Sequence, residues 1–317
     1  MPSKKKLIVL AVGGNSLIAD TEHQTVPDQY HACLRTCRHI VPLLQKGYRV
    51  VITHGNGPQV GFILRRSELA AHELHLVPLD SCGADTQGGI GYQIQQALHN
   101  CTRDWPRPVP VATIITRTLV DANDPAFSKP SKPIGSFMDG KTAQARRETE
   151  GWTTVEDAGR GLRRVVASPR PIEILEFDAI RQLLERDFVV VAVGGGGIPV
   201  VETADGTLAG AEAVIDKDLA TSLLARKLDA DLLVISTAVE KVCLNFGQPD
   251  QRALDRMTLA EARQYIAEGH FAPGSMLPKI EAIVEFLEAG GREALVTDPP
   301  NLARAIAGET GTRFVRA

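Results

Sequence analysis

One repeated pattern constrains this chain more than anything else in its sequence: short, unbroken apolar runs, most of them closed by small residues, each leading into a longer helical pattern. Leu7–Val12 runs into Gly13-Gly14-Asn15-Ser16, Tyr48–Thr53 into His54-Gly55-Asn56-Gly57-Pro58, Val189–Val193 into Gly194-Gly195-Gly196-Gly197, and Leu232–Ser236 continues the series. An alternating strand can face water on one side, whereas a continuous apolar run needs cover on both faces. Runs of this kind separated by helices mark βα units and a mainly parallel sheet, so the expected fold class is α/β. At 317 residues the chain exceeds the roughly 100–200 residues of a usual domain, and one large α/β domain or two lobes is expected.

Residues 119–171 break the rhythm, being rich in Pro, Gly, Asp, Lys and Arg with no buried strand, and read as an inserted subdomain. After the turn Ala204-Asp205-Gly206 comes helix, strand, helix and a final apolar strand at Ala294–Thr297, which reads as a second lobe. The expected division is 1–205, carrying the insertion, and 206–317.

Hydrophobic residues at 44% and charged residues at 23% exclude a disordered, collagen-like or disulfide-scaffold chain. The net charge of -3 gives no general attraction for nucleic acid or an anionic membrane, so neither partner is expected. Cys33, Cys37, Cys82, Cys101 and Cys243 are odd in number and scattered, without zinc-finger spacing, which fits reduced thiols in a cytoplasm. No apolar stretch approaches the roughly 20 residues of a membrane span, and the run behind the basic start is too short for a signal peptide.

A glycine pair or quartet after a buried strand lets the backbone approach a ligand, and the next helix offers free N–H groups to an anion. Three such turns together point to phosphate chemistry; any one alone is equally a tight βα turn. None has the dinucleotide-binding spacing. Gly135-Ser-Phe-Met-Asp-Gly140-Lys141-Thr142 matches the P-loop pattern by letter, but prolines before it forbid the buried strand that a working P-loop follows.

Several motifs together resemble carbamate kinase. They are Gly13-Gly14-Asn15; His54-Gly-Asn-Gly-Pro-Gln-Val-Gly61; Asn123-Asp-Pro-Ala-Phe127 with Pro130-Ser-Lys-Pro-Ile-Gly135; Glu156-Asp-Ala-Gly-Arg-Gly161; Gly194-Gly-Gly-Gly-Ile-Pro199; Val214-Ile-Asp-Lys-Asp218; and His270-Phe-Ala-Pro-Gly-Ser-Met-Leu-Pro-Lys279. They run in order along nearly the whole chain. The resemblance implies a three-layer α/β/α sandwich with an open, mainly parallel eight-stranded sheet, a small protruding subdomain and a homodimer. It also implies reversible transfer between MgATP and carbamate, giving MgADP and carbamoyl phosphate and running toward ATP in catabolism, of which arginine breakdown is one setting.

By motif, the resemblance assigns Lys132 to carbamate and the phosphoryl group, Lys217 to the phosphoryl group in transit, and Lys279 to the nucleotide phosphates. Asp218 is the candidate for holding the lysines, and Mg²⁺ arrives with ATP or ADP. Gly13, Gly14, Asn15, Gly55, Asn56, Gly57, Gly195 and Gly196 are the candidates for the acceptor and phosphates. Thr237, Val242 and Met276 join Lys217 and Lys279 around the nucleotide. Metal ligands are not assigned. Such transfer is mostly positioning and electrostatic stabilisation, and carbamate already carries the anionic oxygen that attacks, so no general base is needed.

Outside this context Lys217-Asp218 reads as a solvated helix end, Lys279 as a first-turn surface lysine and Lys132 as a loop charge. His54 reads either as a base or, as is commoner for a His after a strand, as a structural hydrogen-bonder, and neither role is assigned. Arg160, Arg163, Arg164 and Arg170 read as solvated surface or as a lid face toward an anion. The sequence departs from the family pattern at Ser16, where Ala is usual; at Asp85, where an apolar residue is familiar; and at Glu240, in a run that usually has Asp. An inward Asp85 would repel an anionic ligand. The alternatives are a relative acting on another small acid, a P-loop kinase using Lys141 and Thr142, and a nucleotide-binding regulator without turnover.

Overall fold

The computed structural model describes residues 5–13, 22–156 and 161–317. Leu7–Val12 forms β1, which is buried at every position. Leu7, Val9 and Ala11 enter one apolar cluster, while Ile8, Leu10 and Val12 enter another. The continuous run is thus a strand covered on both faces.

Around β1 lies an eight-stranded sheet. On one side come β2 (Arg49–His54), β9 (Val189–Val191) and β3 (Val111–Thr113); on the other come β12 (Leu232–Ser236), β16 (Glu293–Thr297), β17 (Thr312–Val315) and β15 (Arg256–Thr258). All neighbours are parallel except β16 with β17. One face packs on α1 (Val26–Gln45), α3 (Leu79–Thr102) and α9 (Leu302–Ile306). The other packs on α5 (Phe177–Glu185), α6 (Lys217–Lys227), α7 (Leu259–Ala267) and α8 (Leu277–Glu288). The expected α/β sandwich is present. The expectation that Ala294–Thr297 is the final strand is corrected: β17 follows it, folds back antiparallel and buries Phe314.

A second sheet, in the order β11 (Leu208–Gly210), β10 (Ile198–Glu202), β4 (Arg117–Val120) and β8 (Pro171–Ile174), forms the root of the insertion. Beyond it stands a third sheet of β5 (Lys132–Met138), β7 (Leu162–Val166) and β6 (Thr153–Glu156), with α4 (Gly140–Glu150) between β5 and β6. The insertion therefore has strands that the sequence reading did not find. Their pairing explains the misreading: β5, with Pro133, lies at the edge of its sheet, where a missing donor is tolerated. A two-stranded ribbon, β13 (Cys243–Leu244) with β14 (Arg252–Ala253), completes the strands described. The helix α2 (Gln59–Leu69) follows β2 and packs on β5.

Among the described residues no helix is long and apolar enough to cross a membrane, and all five cysteines are unpaired.

Candidate active site

The carboxyl ends of β1, β2 and β12 are laced together: the Gly13 amide donates to Ser236 O at 3.1 Å, and the Gly55 amide to Val12 O at 3.2 Å. Beside them, the chain leaving β9 holds Gly195, Gly196 and Gly197 at φ of +67, +95 and +88°, a region that costs little only for glycine. A Cβ on Gly195 would overlap the Asn56 side chain, and one on Gly196 would lie 2.7 Å from Ile215 O. The quartet therefore lets the Asn56 loop and the approach to α6 close on one another.

A cleft of about 530 Å³ opens at this end of the sheet. Its walls include Gly55, Asn56, Gly57, Gly195, Lys132, Lys217, Asp218 and Lys279, which meet there from β2, the post-β9 turn, β5, α6 and α8. Lys217 is the first residue of α6, and that helix is fixed to the sheet by a buried contact of 2.6 Å between Thr53 Oγ1 on β2 and Thr221 Oγ1. The stem of Lys217 passes over Gly55, where a Cβ would sit 3.4 Å from Lys217 Cδ.

Asp218 organises the lysines. Its side chain is 3% exposed; Oδ1 accepts from Lys217 Nζ at 2.5 Å and Oδ2 from Lys279 Nζ at 3.0 Å. Burial pushes this carboxyl up, but the two ammoniums more than reverse that and hold it at about 2. Burial, followed by the charge of Lys217, pushes the Lys279 ammonium below its ordinary value. Asp216, which sequence reasoning missed, ties in the third lysine. Its Oδ2 accepts from Lys132 Nζ at 2.8 Å, and its Oδ1 caps α6 by accepting from the amides of Asp218 and Leu219 at 2.9 and 3.4 Å. An Asp directly before a helix that opens Lys-Asp is the N-cap signal that could have revealed it.

His54 is buried, and its Nδ1 lies 2.9 Å from Gly55 O. Burial, with a further push from Lys217, lowers it to about 4 although the Gly55 carbonyl acts the other way, so it is neutral near pH 7. Of the two roles left open by the sequence, its burial and bond to Gly55 O are those of a structural hydrogen-bonder.

Other candidates stand apart from the cleft wall. Gly13 lies beside it, with its amide used by Ser236, and Gly196 is buried against Ile215. Val242 is fully buried in the core, its amide bonded to Thr312 Oγ1 at 2.8 Å; Thr237 donates its amide to Thr297 O; Met276 caps α8 and packs on the core. None of these five lines the cleft. Gly14, Asn15, Ser16 and Arg160 lie outside the described residues. Arg163 lines the cleft, whereas Arg164 pairs with Glu212 and Arg170 with Glu285.

Two doubts raised by the sequence are answered here. Asp85 is exposed on α3 and is not part of the cleft. In the P-loop look-alike, Gly135 lies within β5, Lys141 is exposed, and Asp139 Oδ1 occupies the Thr142 amide at 2.7 Å, which a phosphate would need.

Cations gathered over glycine backbone at the carboxyl end of a mainly parallel sheet suit a phosphoryl group, and the sequence profile of the amino acid kinase family matches residues 6–298. The chain belongs to that family. It is 51% identical to the carbamate kinase-like protein YahI of Escherichia coli and 47% identical to the carbamate kinase of Clostridium perfringens, each alignment covering 98% of this chain and 99% of the relative. Among solved structures, the carbamate kinase of Giardia lamblia bound to AMP-PNP superposes with a TM-score of 0.93 at 40% identity, covering 99% of this chain and all of that one.

The lowered pKa of Asp218 sets a pH prediction. A carboxylate held at about 2 when folded and near 3.8 when unfolded contributes stability that is present above pH 4 and lost as pH falls toward 2. Asp218→Asn should cost roughly 3 kcal/mol at pH 7, because it leaves two buried ammoniums without their acid. It should also flatten the loss of stability between pH 4 and 2 relative to the native protein, as read by urea denaturation at each pH.

Proposed function

We propose that this protein transfers a phosphoryl group reversibly between ATP and carbamate, and that the working direction in the cell is toward ATP. The observation that carries this reading is the convergence of Lys132, Lys217 and Lys279 on one cleft, held by Asp216 and Asp218 beside the Gly55-Asn56-Gly57 backbone. Three cations against two carboxylates leave a positive site suited to the charge that spreads over a phosphoryl group in flight. The neutral, inward-bonded His54 leaves no evident base, which suits an acceptor that already carries an anionic oxygen.

In this reading residues 1–205 hold the acceptor, with 119–171 as a lid, and residues 206–317 hold the nucleotide. Lys217 tracks the phosphoryl group, Lys279 the nucleotide phosphates and Lys132 the acceptor side. Both oxygens of Asp216 and both of Asp218 are already engaged, so Mg²⁺ fits as the nucleotide's own counter-ion, held by phosphates and water and not by a protein cage. There it would neutralise phosphate charge during transfer. A homodimer accords with the apolar side chains exposed on α3 and the segment before it, Tyr92, Leu74 and Leu76; sedimentation at micromolar concentration should give twice the monomer mass of 34.2 kDa.

Asn56 favours carbamate over other small acids. Asn56 lines the cleft, and its Oδ1, packed against Gly195, has no donor among the described residues, so a turn of the side chain toward the cleft presents it to the acceptor. Carbamate carries an N–H for that oxygen, and acetate does not; sites built around such a bond discriminate strongly against analogues lacking it.

Two measurements test the reading. ATP formation from MgADP and carbamoyl phosphate should fall by roughly three orders of magnitude in Lys217→Ala and in Lys279→Ala, and stay near native in Lys141→Ala. No turnover by the native protein, with ADP still bound, would redirect the assignment to another acid. In the second, the native preference for carbamoyl phosphate over acetyl phosphate, as a ratio of kcat/KM, should shrink roughly tenfold or more in Asn56→Ala. An unchanged ratio would remove Asn56 from acceptor recognition.

A further inference from the structure

A second cavity, of about 300 Å³, opens at the opposite end of the central sheet from the catalytic cleft. It lies where β2 and β9 begin, and its wall includes Tyr48, Arg49, Trp105, Arg107, Arg186 and Phe188. The strand β2 spans the distance between the two sites: Arg49 is its first residue, and His54, beside Gly55 of the catalytic cleft, is its last. At about 3.3 Å per residue the sites are roughly 17 Å apart, too far for one small ligand to reach both.

The charge here is one-sided. Lys5, Arg49, Arg107 and Arg186 face a single carboxylate, Asp187, and Lys5 already holds it at 2.9 Å. Several arginines elsewhere are paired with acids, among them Arg117 with Glu176, Arg263 with Glu288 and Arg292 with Asp231, whereas this cavity gathers three without one. No side-chain partner for Arg49, Arg107 or Arg186 occurs among the described residues, and Arg49 Nε is buried without an acceptor. Arg107 and Arg186 are exposed, so their guanidiniums are open to an acceptor that enters the cavity. The dipole at the end of α5 accounts for a cation at Arg186. It accounts for neither Arg49, at a strand start, nor Arg107, in a loop.

The loop is stiff as well as basic. Pro106, Pro108 and Pro110 fix alternate backbone angles around Trp105 and Arg107, so little freedom remains to be lost on binding. Trp105 and Tyr48 add flat apolar surface beside the charges. The volume lies at the small end of metabolite sites and excludes a polymer.

We propose that this cavity binds a small phosphorylated metabolite, its phosphate gripped by the Arg49 and Arg107 guanidiniums and its apolar part resting on Trp105 and Tyr48. Guanidinium forks match phosphate oxygens two at a time, which an ammonium does not.

Inorganic pyrophosphate is a suitable probe, titrated calorimetrically into the native protein, into Lys217→Ala/Lys279→Ala, and into that lysine variant carrying Arg49→Gln/Arg107→Gln in addition, so that the catalytic cleft does not contribute to the comparison. The expected result is binding that survives in the lysine variant and weakens tenfold or more in the arginine variant. Trp105 emission, read alone in Trp152→Phe, should change with the same midpoint. Should the arginine pair impair folding, Arg107→Gln alone, on an exposed loop position, serves the same comparison. The proposal is overturned by loss of all binding in the lysine variant, by equal binding in the arginine variants, or by absence of binding in the native protein. Citrate binding more tightly than pyrophosphate would overturn the phosphate class.

Discussion

The site depends on one arrangement of charge, a carboxylate buried between two ammoniums at the start of a helix. Asp218 could not stay ionised at 3% exposure without Lys217 and Lys279, and those lysines could not lie so close together without Asp218. Each charge makes the other two tolerable. What remains is net positive, and it points into a cleft already lined by glycine backbone. Phosphoryl transfer needs such a site: cations fixed before the substrate arrives, so that little reorganisation is left for the reaction itself.

The sheet makes that arrangement reachable. β1 pairs with β2 on one side and with β12 on the other, so the N-terminal and C-terminal parts of the chain share one continuous layer. Thr53 on β2 anchors α6 through Thr221, placing the helix start beside Gly55, while α8 packs on α6 and brings Lys279 to the same point. The glycine quartet after β9 is the steric condition for this closure, since side chains there would strike Asn56, His54 and Ile215.

The fold was legible where burial on both faces left the sequence no choice. Leu7–Val12 had to be apolar throughout, and its pattern announced a covered strand. Legibility failed where strands are short and half exposed. β6, Thr153–Glu156, is mostly exposed, and β17 begins Thr-Arg, so neither carries the continuous signal. The lysines were legible only through resemblance, because Lys-Asp at a helix start is ordinary surface chemistry until the fold closes over it. Asp85 illustrates the converse. It lies on the exposed stripe of α3 with Ser81, Gly88 and Tyr92, and helical phase, which spacing could have supplied, turns it away from the site. Val242 carries the motif, while its side chain is packed in the core.

Burial also ranks the contacts within the site. The Asp218 pairs are nearly dry, whereas Lys132 is 34% exposed and its pair with Asp216 is partly screened. A dry pair is costly to break because it strands a buried charge; a partly wet one exchanges partners with little loss. Lys132 is also the one lysine of the three carried by the inserted subdomain, at the first residue of β5. The insertion is thus joined to the α6 N-terminus through the weakest ion pair of the cluster, at a carboxylate whose other oxygen caps the helix bearing Lys217. An incoming anion that competes for Lys132 leaves the Lys217–Asp218–Lys279 core intact. The cluster therefore divides into a nearly dry part, Lys217–Asp218–Lys279, which holds geometry, and a partly solvated part, Lys132–Asp216, which is the easier to exchange.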